Sequence, residues 1–148
     1  MLVTNSELLT QITTLQSDIS DQHSLCKNLL KYPDTSAENI KDLVEDTLKK
    51  IENLKHYQKI IGLRNANYFQ TLSTGQKLSI TDIIKLKEEL ILKKNLLSSI
   101  IDSDPIEKLV PISLSYFNEF QLIKKQLSEI QNLLTTFNNS TFNTEDYQ

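Results

Sequence analysis

Tryptophan is missing, glycine occurs twice and proline three times in 148 residues. So little glycine and proline leaves scant material for the tight turns of a β-rich or loop-rich fold. One cysteine, Cys26, excludes an internal disulfide, and nothing else points to an oxidising compartment. No window nears the roughly 18 consecutive apolar residues of a spanning helix. The opening MLVTNSELL lacks a basic stretch leading into an apolar one, so no cleaved secretory signal is expected. The Asn-X-Ser/Thr pattern at Asn138 and Asn139 would matter only in a secreted chain. Basic and acidic residues number 16 and 19, a net charge of -3, without the basic surplus of a nucleic-acid binder. A cytoplasmic protein is the expectation.

What is present is Leu, Ile, Lys, Glu, Gln, Asn and Ser, a composition that favours long helices around a real core. Thr4 followed by Glu7 reads as a capping box opening the first helix. Leu8, Ile12, Leu15, Ile19, Gln22, Cys26 and Leu29 then alternate spacings of four and three, a coiled-coil-like seam. Tyr32-Pro33-Asp34 stops it. A second capping box at Thr35 and Glu38 starts a longer seam, Ile40, Val44, Thr47, Ile51, Leu54, Gln58, Ile61, Asn65 and Tyr68. Gly62 inside that helix should cost about 1 kcal/mol against alanine, which suggests close packing by a neighbour or a kink.

The stretch LSTGQKLSITDIIKLKEEL, residues 72–90, reads as a loop whose Gly75 stops a helix. Thr81 or Ser79 then caps a third helix, with Asp82 in its first turn. Ile83, Ile84, Leu86, Leu90, Ile91, Leu97, Ile100 and Ile101 give that helix a wide apolar face, ended at residues 102–105. Residues 106–115, IEKLVPISLS, alternate like a short extended segment limited by Pro111. Tyr116, Phe120, Ile123, Leu127, Ile130, Leu134 and Phe137 form the seam of a fourth helix. Residues 138–148 are polar and read as a flexible C-terminal tail. The whole predicts an all-α antiparallel bundle of about four long helices, one domain over residues 1–137.

Three places resemble the septicolysin-like family of small bacterial helical proteins. KIIGLRNAN looks like the family's apolar pair followed by an asparagine, matched by Asn67. Leu72, Gly75, Thr81-Asp82, Lys87-Glu88 and Leu90 take the family's places, with a loop about two residues longer than is usual. Ile106, Leu109, Ile112, Leu114 and the seam from Phe120 to Phe137 fall at its apolar positions. The aromatic and basic residues the family carries before Ile106 are absent, and Asn138-Asn139 stands in place of its late tryptophan. The resemblance implies an all-helical core, and the family name implies a membrane-active, pore-forming cytolysin.

No catalytic constellation emerges from the residues themselves. Ser73-Thr74-Gly75-Gln76-Lys77 has the glycine and lysine of a phosphate loop. It lacks the first glycine and inserts Gln76 before Lys77. Glu52 and His56 lie one turn apart without a third ligand, so no metal or other cofactor is expected. Cys26, with only His23 near it in sequence, reads as a buried, inert seam residue. Lys85, Lys87, Lys93 and Lys94 give the third helix a basic side that Glu88 and Glu89 dilute, so membrane contact is not expected. Seam polars carry more information, because buried amides cost stability unless paired and fix which helices pair. Gln22, Thr47, Gln58 and Asn65 are therefore the register candidates. Asn67 joins them through the resemblance. The reading is a non-enzymatic helical protein acting by association with itself, or with other helical proteins.

Overall fold

The computed structural model describes residues 1–101 and 110–148. In chain order come β1 (Leu2–Thr4), α1 (Asn5–Leu29), α2 (Ala37–Asn67), β2 (Phe69–Thr71), β3 (Lys77–Ser79), α3 (Ile80–Ile101), α4 (Val110–Asn139) and β4 (Thr141–Asn143). A 3-10 turn, Thr144–Tyr147, follows. The fold is all-α, with α1 packed on α2 and α3 on α4. Two compact units make up the chain. Unit 1 is Met1–Arg64 with Asn138–Gln148, and unit 2 is Asn65–Phe137.

In unit 1 the expected capping box is present. Thr4 Oγ1 accepts the Glu7 N–H at 3.1 Å, while Glu7 Oε2 accepts the Thr4 N–H at 2.7 Å. Contacts between α1 and α2 run in opposite directions along the two helices. Asp18 meets Lys50 at 3.6 Å, and farther along α1 Gln22 meets Thr47 at 2.8 Å, so the pair is antiparallel. Val3, Leu8, Ile60 and Phe142 form the core of this unit. Each such apolar side chain contributes about 1.5–3 kcal/mol when fully buried.

The tail expected to be flexible is part of that core. β4 pairs antiparallel with β1, Val3 opposite Phe142, and Thr144 is buried. A lone phenylalanine in a polar stretch gave no periodic signal, yet it fills the space between Val3, Leu8 and Ile60. The cap of α2 is Ser36 rather than Thr35. Ser36 Oγ accepts the Asn39 N–H at 3.4 Å and its carbonyl accepts the Ile40 N–H at 3.3 Å.

In unit 2, Gly75 sits in a β-hairpin and does not stop a helix. β2 and β3 pair with Phe69 opposite Ser79. The Gly75 N–H donates to the Leu72 carbonyl and the Leu72 N–H to the Gln76 carbonyl, both at 2.9 Å. Gly75 has φ 85°, so Ser73-Thr74-Gly75 is a three-residue hairpin loop whose last residue is left-handed. Glu129 of α4 holds the loop, accepting the Ser73 N–H at 2.7 Å and its hydroxyl at 2.6 Å. Ser79 caps α3, taking the Asp82 N–H at 3.1 Å, while Thr81 lies in the first helical turn. Lys87 donates to Gln131 at 2.9 Å, and Lys93 is drawn up in pKa by Glu89, with Glu119 adding to it. That order makes α3 and α4 antiparallel. Leu72, Ile80, Ile83, Leu90, Ile123 and Ile130 are among the residues of the unit's core.

The extended segment expected at residues 106–115 is helical from Val110 onward. Pro111 lies in the first turn of α4, where its missing N–H costs no helical bond. Residues 106–109 of that segment, and the helix stop at 102–105, lie outside the described residues. Gly62 has open space around it, so neither close packing nor a neighbouring helix explains it.

The two units follow one plan. Strand β1, its cap Thr4 and helix α1 correspond to β3, Ser79 and α3. Asn5 answers to Ile80, and Leu8 to Ile83, each almost wholly buried. On the second helices Lys50, Leu54, Tyr57, Ile61 and Arg64 answer to Ile123, Leu127, Ile130, Leu134 and Phe137. The strand after α2 answers to the strand after α4. The Thr144 N–H donating to the Met1 carbonyl at 3.0 Å reproduces Leu72 donating to Gln76. In unit 2, Phe137 stacks on Tyr68 with centroids 4.8 Å apart. At the matching places of unit 1, Arg64 donates to the Ser140 hydroxyl at 2.7 Å. An aromatic pair in one unit is a polar pair in the other.

Candidate functional site: an apolar groove on the first helical hairpin

Half-buried and buried positions of α2 recur at Ile40, Leu43, Thr47, Lys50, Leu54, Tyr57, Ile61 and Arg64. The expected seam shares Ile40, Thr47, Leu54 and Ile61 with this set. It errs by one residue at the intervening positions, where Val44, Ile51 and Gln58 are exposed. The cause is side-chain type. Lys50, Tyr57 and Arg64 are amphipathic and bury their stems, Lys50 beside Asp18 of α1 and Arg64 over Phe142, whereas Val44 and Ile51 look more like core residues.

Of the register candidates, the structure brings two together. Thr47 Oγ1 donates to Gln22 Oε1 at 2.8 Å, and Gln22 Nε2 donates to Asp46 Oδ2 at 3.0 Å. The Gln22 amide, seconded by Lys50, holds the Asp46 carboxyl below its usual range. Gln58 is exposed, Asn65 is half-buried in unit 2, and Asn67 is exposed at the end of α2. Glu52 and His56 are both exposed. Among the described residues no group of three or more His, Cys, Asp or Glu could hold a metal ion.

Rotating the α1 contact away from Val44 and Ile51 leaves an apolar ridge, Val44, Leu48 and Ile51, on the flank of α2. These side chains are 41%, 55% and 44% exposed, spaced i, i+4, i+7 on one helical face. Beside the ridge runs a groove of about 590 Å³. Gln16, Ile19, Ser20, His23 and Cys26 of α1 line one wall, and Val44, Thr47, Leu48 and Ile51 of α2 the other. Among the described residues no Asp, Glu, Lys or Arg lines it. Cys26 is half-buried in this wall, not enclosed in a core as expected.

Unit 2 shows whether the shared plan requires this apolar face. At the positions of Val44, Thr47, Leu48 and Ile51 it carries Phe117, Phe120, Gln121 and Lys124. The Lys124 ammonium lies 5.5 Å from the Phe120 ring centre. A helical hairpin of this design therefore folds with Gln and Lys where unit 1 exposes Leu48 and Ile51. Sequence reasoning also passed over Arg64, Ser140, Phe142 and Glu129. The signal available for the first three was the repeat itself. LVTNSELL and KLSITDII each place a short strand before a Ser/Thr cap with an acid three residues later. Set against protein-family models, curated proteins and solved structures, the chain matches none.

Proposed function

We propose that the protein works by non-covalent association with a second copy of itself, through the ridge and groove of the α1·α2 hairpin, with no reaction of its own. The observation that carries this reading is the exposed apolar triad Val44, Leu48 and Ile51, whose last two places the matching hairpin fills with Gln121 and Lys124. Exposed apolar residues scattered singly are ordinary, but a contiguous stripe beside a groove is the signature of a contact surface. Ridge and groove lie on one face, so a two-fold axis lets each copy offer its ridge to the other's groove. That self-complementarity is the form of an isologous dimer. Uncharged walls suit it, since interface centres are depleted of charge.

The test is a charge placed on the ridge. Leu48→Glu should convert the associated protein to a single chain in sedimentation equilibrium. Leu92→Glu, at the 71% exposed Leu92 of α3, should leave association unchanged. Equal association in wild type and Leu48→Glu would contradict the reading.

A further inference from the structure

The two units differ in how their paired strands are joined. In unit 2 the tight hairpin turn at Ser73-Thr74-Gly75 links β2 directly to β3. In unit 1 the partners are β1 and β4, Leu2 opposite Asn143, linked only through the whole of the intervening chain. Closing so long a connection costs more entropy than closing a hairpin. The site that receives residues 140–148 is nevertheless specific. Arg64 is buried, donates to the Ser140 hydroxyl at 2.7 Å and to its carbonyl at 3.4 Å, and lies 4.2 Å from the Phe142 ring centre. Phe142 sits with Val3, Leu8 and Ile60, and meets Tyr147 edge-on at 5.5 Å. The Thr144 N–H closes the strand end on the Met1 carbonyl at 3.0 Å.

We infer that unit 1 is a strand-acceptor site and that residues 140–148 of a second copy exchange into it, pairing with β1 in place of the chain's own β4. A second copy is the occupant because every copy carries the one segment already shown to fit. Exchanging an identical element re-forms every contact and needs no new interface. The inference goes beyond the ridge and groove and does not rest on them.

Leu2 and Asn143 face each other one residue from the hydrogen-bonded Met1–Thr144 pair, at the position where antiparallel strands bring side chains closest. The experiment uses two full-length chains, both Cys26→Ser, one with Leu2→Cys and the other with Asn143→Cys. They are mixed with oxidised glutathione and read by non-reducing electrophoresis. Exchange predicts a covalent pair whose yield rises with protein concentration. A control mixing Leu2→Cys with Lys31→Cys, at an exposed position outside the register, should give only a background yield. A matched yield equal to the control overturns the inference. So does a chain carrying both Leu2→Cys and Asn143→Cys that crosslinks only within itself at every concentration. Adding Leu48→Glu to both chains should still let the crosslink accumulate, because oxidation traps each exchange even where the uncrosslinked chains rest single at equilibrium. Its loss would trace the pairing to the ridge and overturn exchange, whereas a surviving crosslink in a protein that Leu48→Glu does not dissociate would count against the ridge alone.

Discussion

Both glycines show how much a residue's meaning depends on its backbone angle. Gly75 has φ 85° at the end of the hairpin loop, a conformation that costs a side chain about 1–2 kcal/mol. Gly62 is helical with open space around it, so it gives up helix stability with no packing in return. The two alanine substitutions should therefore move stability in opposite senses. Gly75→Ala should lose about 1 kcal/mol or more, and Gly62→Ala should gain about 1 kcal/mol, both read from urea midpoints. A destabilising Gly62→Ala would mean that something packs on that face. Carboxylates give a second residue-scale expectation. Ser73 hydroxyl and backbone N–H hold Glu129 below its ordinary 4.5, and Gln22, then Lys50, hold Asp46 below its ordinary 3.8. Both folded pKa values are depressed, so their stabilisation is complete above the unfolded values and is lost as pH falls through the folded ones. Melting temperature should thus drop below about pH 4.5. Ser73→Ala should reduce the part of that drop owed to Glu129, and an unchanged acid limb would contradict the assignment.

Among elements, the repeat makes a sharper prediction than any contact taken alone. If Arg64 and Ser140 occupy the places of Phe137 and Tyr68, the aromatic pair should be transplantable. Arg64→Phe and Ser140→Tyr should each destabilise by about 1–3 kcal/mol, and the double variant should recover about half or more of the summed loss. Simple additivity in a double-mutant cycle of denaturation would contradict the equivalence. The same elements show what was legible in the sequence. Thr4 and Glu7 announce α1 because capping chemistry is local. The seam of α4 is legible because Ile123, Ile130 and Leu134 are apolar and buried. In α2 periodicity misleads by one residue, since amphipathic Lys50, Tyr57 and Arg64 take the half-buried and buried positions while Val44 and Ile51 stay exposed. Four strands of three residues are too short for alternation to register. The pairing of β1 with β4 depends on contacts from opposite ends of the chain, beyond any local window. Val44 and Ile51 fall in the expected seam because of the same apolar spacing that places them in the ridge, whereas Leu48 lies outside it.

For the molecule as a whole, one plan of a helical hairpin with a paired strand at each end is used twice, and the differences between its copies are where association is placed. Features common to both units are the cap before the first helix, the buried pair Leu8 and Ile83, and the strand-end bond from Thr144 or Leu72. Features found in one unit only are the apolar ridge of α2 and the discontinuous strand pair. The first set builds the fold, and the second is where association is assigned. The most direct measurement is the solution mass of the unmodified protein by light scattering across a concentration series. The account predicts twice the 17.0 kDa chain mass at the upper end, falling toward 17.0 kDa on dilution or with Leu48→Glu. A mass of 17.0 kDa at every concentration would contradict it.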